Sequence, residues 1–362
     1  MPTANDKFLR YLLQTCAACA PEPLYPMRFA RELNLDRETL DAGLDELRRR
    51  GLVQFTEWVK DAGQGYALTD AGRQALVSGQ LPMAGAVATD LPAEGSDTLY
   101  DRGEIVRRAV FAPQPPFVSR LLLAANLLFF FFGAFYAWKH DLDVSDYLQG
   151  NSPAPKLTTD RVLVELGALH HSLVLPRDPQ IRPEFERILL FSFLHIGLIH
   201  LFMNMYFLYS LGPLIESVWG WPRFLAIYFI AGVVSGCVIL LFTLTQDRSG
   251  YTAGASGNLY GIFIALLVWF WFNRQHLPER LIQDWSRNFA TNAFLLFAIN
   301  FLPFPISWQG HLGGAIGGLL AALLLHVQRF HPAVSVRLLA LAALPFVPIG
   351  FFVAMLYHAR WF

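Results

Sequence analysis

Charge and cysteine are scarce in this chain. Of its 362 residues only 15% are Asp, Glu, Lys or Arg, while 54% are hydrophobic. One soluble domain of that length does not carry so apolar a composition. The formal net charge is zero, which excludes a global attraction to nucleic acid. Three cysteines cannot build a disulfide framework. Cys16 and Cys19 form a Cys-x-x-Cys pair, but a structural zinc site needs four ligands and no second pair exists, so they read as plain thiols. Cys237 lies in an apolar run and reads as packing. Residues 1–14 mix polar and apolar positions and contain no continuous apolar h-region, so the N-terminus is expected in the cytoplasm.

Residues 1–80 read as a small soluble domain. Asn5 or Asp6 caps a first helix to about Ala20, and a second covers roughly Pro26 to Leu33. Asp36 starts a third, with Leu40, Leu44 and Leu47 on one face. Val53–Glu57 and Tyr66–Thr69 read as short strands around the turn signal Asp61-Ala62-Gly63, and Thr69-Asp70 opens a last helix through Ala75. The stretch from Leu47 to Leu76, with Gly51-Leu52-Val53 and Tyr66-Ala67-Leu68-Thr69-Asp70-Ala71-Gly72, resembles the winged helices of bacterial transcription regulators. Residues 81–117, rich in Pro, Ala and Gly, read as a linker.

Seven apolar stretches follow, each near the ~20 residues that a bilayer core requires: about 119–138, 197–216, 223–243, 256–273, 289–304, 310–327 and 337–357. The expected fold is a polytopic α-helical membrane protein behind a small α+β domain. Arginines 102, 107, 108 and 120, 274, 280 and 287, and 329 and 337 fall in alternate loops, which the positive-inside rule assigns to the cytoplasm. The loop 139–196 then lies outside.

Three of these spans carry side chains that are expensive in a bilayer and are therefore candidates for function. Ser256 stands in Gly254-Ala255-Ser256-Gly257, His311 in Gly310-His311-Leu312-Gly313-Gly314, and a third span holds His200 and Asn204. The expected topology puts all of them a few residues below the outer surface. A serine nucleophile needs a base within hydrogen-bond reach, and Ser256 with His311 supplies one. A developing oxyanion needs donors, which His200, Asn204 and the Ser256 N–H supply. Asn204 is four residues after His200, on the same helical face. Gly257 and Gly261 on one span, and Gly310, Gly314 and Gly318 on another, repeat a small-xxx-small spacing that lets membrane helices approach closely.

These pieces together resemble the rhomboid family of intramembrane serine proteases: His200-Leu201-Phe202-Met203-Asn204, then Gly254-Ala255-Ser256-Gly257 with Tyr260, then His311 followed by Gly314 and Gly318. The resemblance covers about residues 118–330. It implies a six-span protease core there, with Ser256 as nucleophile and His311 as general base, a dyad without an aspartate and without a cofactor. It implies that His200 and Asn204 stabilise the oxyanion, that Tyr260 packs on the catalytic imidazole, and that Glu216 is a structural hydrogen-bonding partner. Arg187 matches the arginine of a first-loop Trp-Arg motif, with Glu186 where the tryptophan stands. Residues 331–362 supply an added C-terminal span. The implied partners are transmembrane protein substrates and the lipid bilayer, and the implied location is a bacterial inner membrane.

Two other readings compete. One is a non-proteolytic protein that binds membrane clients; the other is a membrane-tethered regulator reading DNA. Through residue 80 ten basic residues face eleven acidic ones, and Asp36, Glu38, Asp41, Asp45 and Glu46 crowd the third helix, so the domain offers little to phosphates. A protein-contact or regulatory role for residues 1–80 is expected instead of DNA binding. His195 and His200 are five apart with no acid between them, so no metal site is expected.

Overall fold

The computed structural model describes residues 4–30, 37–59, 62–81, 115–150, 157–178, 180–246, 250–277, 279–301 and 307–359, with a few positions between 103 and 110. They fall into two compact units, the first built mainly from residues 1–108 and the second from the helices after them.

In the first unit, helices α1 (Ala4–Cys19), α2 (Pro26–Phe29) and α3 (Arg37–Arg49) precede a hairpin of β1 (Val53–Val59) and β2 (Gly63–Leu68), and α4 (Asp70–Ser78) closes it. Leucines at helical spacing make the core. Leu40, Leu44 and Leu47 of α3 are fully buried with Leu9, Leu12 and Leu13 of α1, and each such side chain contributes about 1.5–3 kcal/mol on burial. The strands pair antiparallel from Val53 opposite Leu68 to Val59 opposite Gly63, with an irregularity between Phe55 and Trp58. Thr69 starts α4: its hydroxyl accepts from the Gly72 N–H at 3.0 Å and donates to the Gly51 carbonyl at 2.6 Å. The helix runs to Ser78, three residues beyond the expected Ala75, because its left-handed stop is Gly79. The strands run longer than expected because pairing continues to the Gly63 turn. Asp36, and residues 31–33 of the expected second helix, lie outside the described residues.

Among the described residues, the second unit holds six helices long and apolar enough to cross a bilayer. They are α5 (Phe117–Lys139), α8 (Gly197–Trp219), α9 (Trp221–Gln246), α10 (Ser256–Asn273), α12 (Trp308–Phe330) and the segment Val334–His358. That last segment is broken into α13 (Val334–Ala343) and α14 (Phe346–His358) at Pro345, which cannot donate to the helix ladder. Between α5 and α8 lie α6 (Val144–Gln149), α7 (Leu157–Glu165) and β3 (Leu169–His170). β3 pairs with β4 (Tyr251–Thr252) just before α10.

The expected span 289–304 takes a different form. Helix α11 (Glu279–Ala298) begins ten residues earlier, and Glu279, Arg280, Asp284 and Arg287 occupy its first half. Its apolar half starts at Phe289, and residues 302–304 lie outside the described residues. Among the described residues it is long enough for a span but not apolar enough. The apolar stretch from Ile188 also stays apart from α8. It forms a short turn of helix (Arg187–Leu190) and a 3-10 turn (Phe191–Phe193), and the chain is extended at Leu194.

Candidate active site

Ser256 is the first residue of α10, and His311 lies in the first turn of α12. Their side chains meet: Ser256 Oγ and His311 Nε2 share a hydrogen bond of 2.9 Å across 55 residues of sequence. Backbone contact between the two helices makes this possible. A Cβ on Gly314 would collide with the Gly257 carbonyl, and one on Gly318 with the Gly261 backbone. A Cβ on Gly257 would meet the Ser235 hydroxyl. The glycine spacing read from the sequence thus corresponds to a seam in which any side chain would hold Ser256 away from His311.

The imidazole of His311 is buried and held on its flat side. Tyr260, one turn after Ser256, stacks on it with ring centroids 4.2 Å apart and planes 11° from parallel. The Tyr260 hydroxyl donates to the Leu296 carbonyl, which fixes the tyrosine from α11. The last turn of α11 therefore braces the imidazole of His311 through Tyr260.

His200 and Asn204 project from α8 into the same space. The Ile196 N–H donates to His200 Nδ1 at 3.3 Å, so in the neutral ring the hydrogen sits on Nε2. Asn204 Nδ2 donates to the His200 carbonyl at 2.9 Å, which leaves its second N–H for another acceptor. Gly254 brings the Ser256 loop against His200. Its φ is +140°, which L side chains rarely adopt, and a Cβ there would lie 2.6 Å from His200 Cε1 and 2.9 Å from Nε2.

These groups line one cavity of about 380 Å³, with Ile196, Ile199, Met203, Leu296 and Ile299 among its apolar walls. Asp160, Tyr251 and Ser235 also line it, and no sequence pattern pointed to them. Asp160 stands on α7 in a mixed-charge stretch, and only the fold carries it to β4, where its carboxylate accepts a hydrogen bond from the Tyr251 hydroxyl at 2.7 Å. His195 is fully buried, edge-on to His200 at 5.3 Å.

Arg187 and Glu216 brace the frame. Arg187 donates to the carbonyls of Val164 at 2.6 Å and Ala168 at 3.0 Å and pairs with Glu184, tying the loop before α8 together. Glu216 accepts from the N–H groups of Val118 and Ser119 at 2.8 Å each and from the Ser119 hydroxyl at 2.6 Å. It thereby caps α5 from α8 at an end where backbone donors otherwise lack partners.

Part of this chain is similar to known proteins. The rhomboid domain family matches residues 182–328. Rhomboid protease GluP of Bacillus subtilis (strain 168) is 32% identical over 247 residues, 67% of this chain and 41% of that protein. The mitochondrial presenilin-associated rhomboid-like protein A of Danio rerio is 30% identical over 132 residues, 35% of this chain and 34% of that protein. RHOMBOID-like protein 1 of Arabidopsis thaliana is 29% identical over 167 residues, 44% of this chain and 38% of that protein. The chain thus spans about two fifths or less of the length of these relatives.

Proposed function

Because this integral membrane protein belongs to the rhomboid family, we propose that it is a serine endopeptidase that cleaves transmembrane protein substrates within the bilayer. The observation that carries the proposal is the 2.9 Å contact between Ser256 and His311. In this reading Nε2 of His311 accepts the proton as Ser256 Oγ attacks the substrate carbonyl, then returns it to the leaving amine. The Ser256 N–H, Nε2–H of His200 and the unshared N–H of Asn204 receive the oxyanion. Water then hydrolyses the acyl-enzyme. The Tyr260 stack keeps the imidazole in line for both transfers. A substrate helix must unwind before its carbonyls can be reached, and the cavity supplies room for an extended stretch.

The same reading divides the chain into a cytoplasmic winged-helix-like module (1–80), a linker (81–117), the protease core (118–330) and an added C-terminal span (331–362). The arginines of alternate loops support a cytoplasmic N-terminus, and the regulator-like first module together with the rhomboid resemblance supports a bacterial inner membrane. The module takes protein partners and not DNA. In support, Arg49 pairs with Glu46 at 3.0 Å, Arg50 with Glu46 at 2.9 Å and with Asp6 at 3.5 Å, and Arg48 lies 3.9 Å from Asp45 and over the Phe55 ring. The basic run is already matched by carboxylates.

The test is cleavage of a fluorogenic single-span substrate in liposomes by the wild type and by Ser256→Ala. Cleavage that disappears in the variant supports the protease; equal signals from both would sink it and leave the client-binding reading.

A further inference from the structure

Among the described residues lining the cavity around Ser256, one carries a full charge, and it is a carboxylate. Asp160 of α7 lines the wall beside Tyr251. Among the described residues the Tyr251 hydroxyl is the one hydrogen-bond or ion-pair partner of that carboxylate. Burial, and then the carboxylates of Asp160 and Asp146, push the Tyr251 phenol above its usual range. Tyr251 therefore stays a donor at neutral pH, holds Oδ1 in place and leaves Oδ2 open. From Tyr251 the wall continues through Thr252, Ala253 and Gly254 to Ser256. Extended backbone advances about 3.3 Å per residue. A peptide lying extended with its reacting carbonyl at Ser256 therefore passes Asp160 within about five residues of the bond that breaks.

A fixed, partly buried carboxylate on a cavity wall favours a complementary cation and disfavours an anion. We propose that Asp160 is a specificity residue that selects a lysine or arginine of the substrate within about five residues of the scissile bond. This rests on the protease reading above. It adds a charge requirement that the dyad and the oxyanion donors do not impose. The selected group is a side chain of the extended segment: its ammonium or guanidinium pairs with Oδ2 while Tyr251 keeps Oδ1. Asp146, close enough to act on Tyr251, adds to the negative potential at the same wall.

The experiment uses the full chain in liposomes and single-span substrates carrying Lys, Gln or Glu in turn at each of the five positions on either side of the cut. The expected result is at least one position where wild type prefers Lys over Gln by about tenfold in kcat/KM, with Glu poorer still. Asp160→Asn keeps an acceptor for Tyr251, and it brings the Lys-to-Gln ratio close to one. Asp160→Lys inverts the order, so that Glu surpasses Lys. A ratio does not move when a variant merely loses activity for structural reasons. A flat wild-type ratio at every position, or a preference unchanged in Asp160→Asn, overturns the inference while neutral substrates are still cut in a Ser256-dependent way. If wild type cuts none of the substrates, or Ser256→Ala cuts them equally, the protease reading itself falls and takes the inference with it.

Discussion

The two units are held together by opposite means. In the first, α1 and α3 meet through leucines: Leu9, Leu12 and Leu13 against Leu40, Leu44 and Leu47. In the second, α10 and α12 meet where side chains are missing, Gly257 and Gly261 against Gly314 and Gly318. Water drives the first association, because each buried leucine leaves water. Lipid tails are as apolar as leucine and drive nothing of the kind, so close backbone packing and interhelical hydrogen bonds must do it. The difference extends to the site: a seam without side chains is what allows a serine on one helix to touch a histidine on the other.

The contrast predicts opposite mutational polarity. Adding a side chain to the seam has the largest effect. Gly314→Leu forces α12 off the Gly257 backbone, and cleavage in liposomes is expected to fall at least about a hundredfold, since a displacement near 1 Å can cost that much. Wild-type rates would break the comparison. Removing a side chain from the leucine core comes next. Leu44→Ala is expected to destabilise the first unit by about 2–5 kcal/mol, read as faster hydrogen exchange in α1 and α3 of the full chain. Exchange unchanged there would mean the leucines are not its core.

A third substitution sharpens the comparison where the membrane unit does use polar contact. Glu216→Gln removes a charged acceptor from three donors, and about 1–3 kcal/mol of stability should be lost, seen as a lower unfolding temperature in detergent. An unchanged temperature would show that α5 is capped by other means. The smallest effect concerns the thiols. Burial, with a contribution from Cys19, pushes the Cys16 thiol up to about 12. A raised value leaves little thiolate at neutral pH, so maleimide should label the half-buried Cys19 first and Cys16 only as the unit opens. Equal labelling rates at pH 7 would contradict the packing around Leu12 and Leu13.

Much of this was legible in the sequence, for identifiable reasons. Ser256, His311, His200 and Asn204 were visible because polar groups in apolar runs need a reason to be there, and the glycine spacing said which helices touch. The leucine face of α3 and the Thr69 cap followed from helical period and capping chemistry. The helix over 289–304 starts earlier than its apolar run, because the charged turns from Glu279 belong to the same helix, and residues 302–304 lie outside the described residues. Asp160 stayed hidden because nothing local distinguishes it from Arg161 or Glu165 beside it. Its meaning comes from the pairing of β3 with β4, a contact between segments about 80 residues apart.

The most direct test of the central claim is covalent. A fluorophosphonate probe reacts with a serine only if a base activates it, so the full chain in liposomes should be labelled and the adduct mapped by mass spectrometry. The account predicts one modified residue, Ser256, with labelling lost in His311→Ala and in Ser256→Ala. Labelling that survives His311→Ala, or an adduct on another serine, would contradict it.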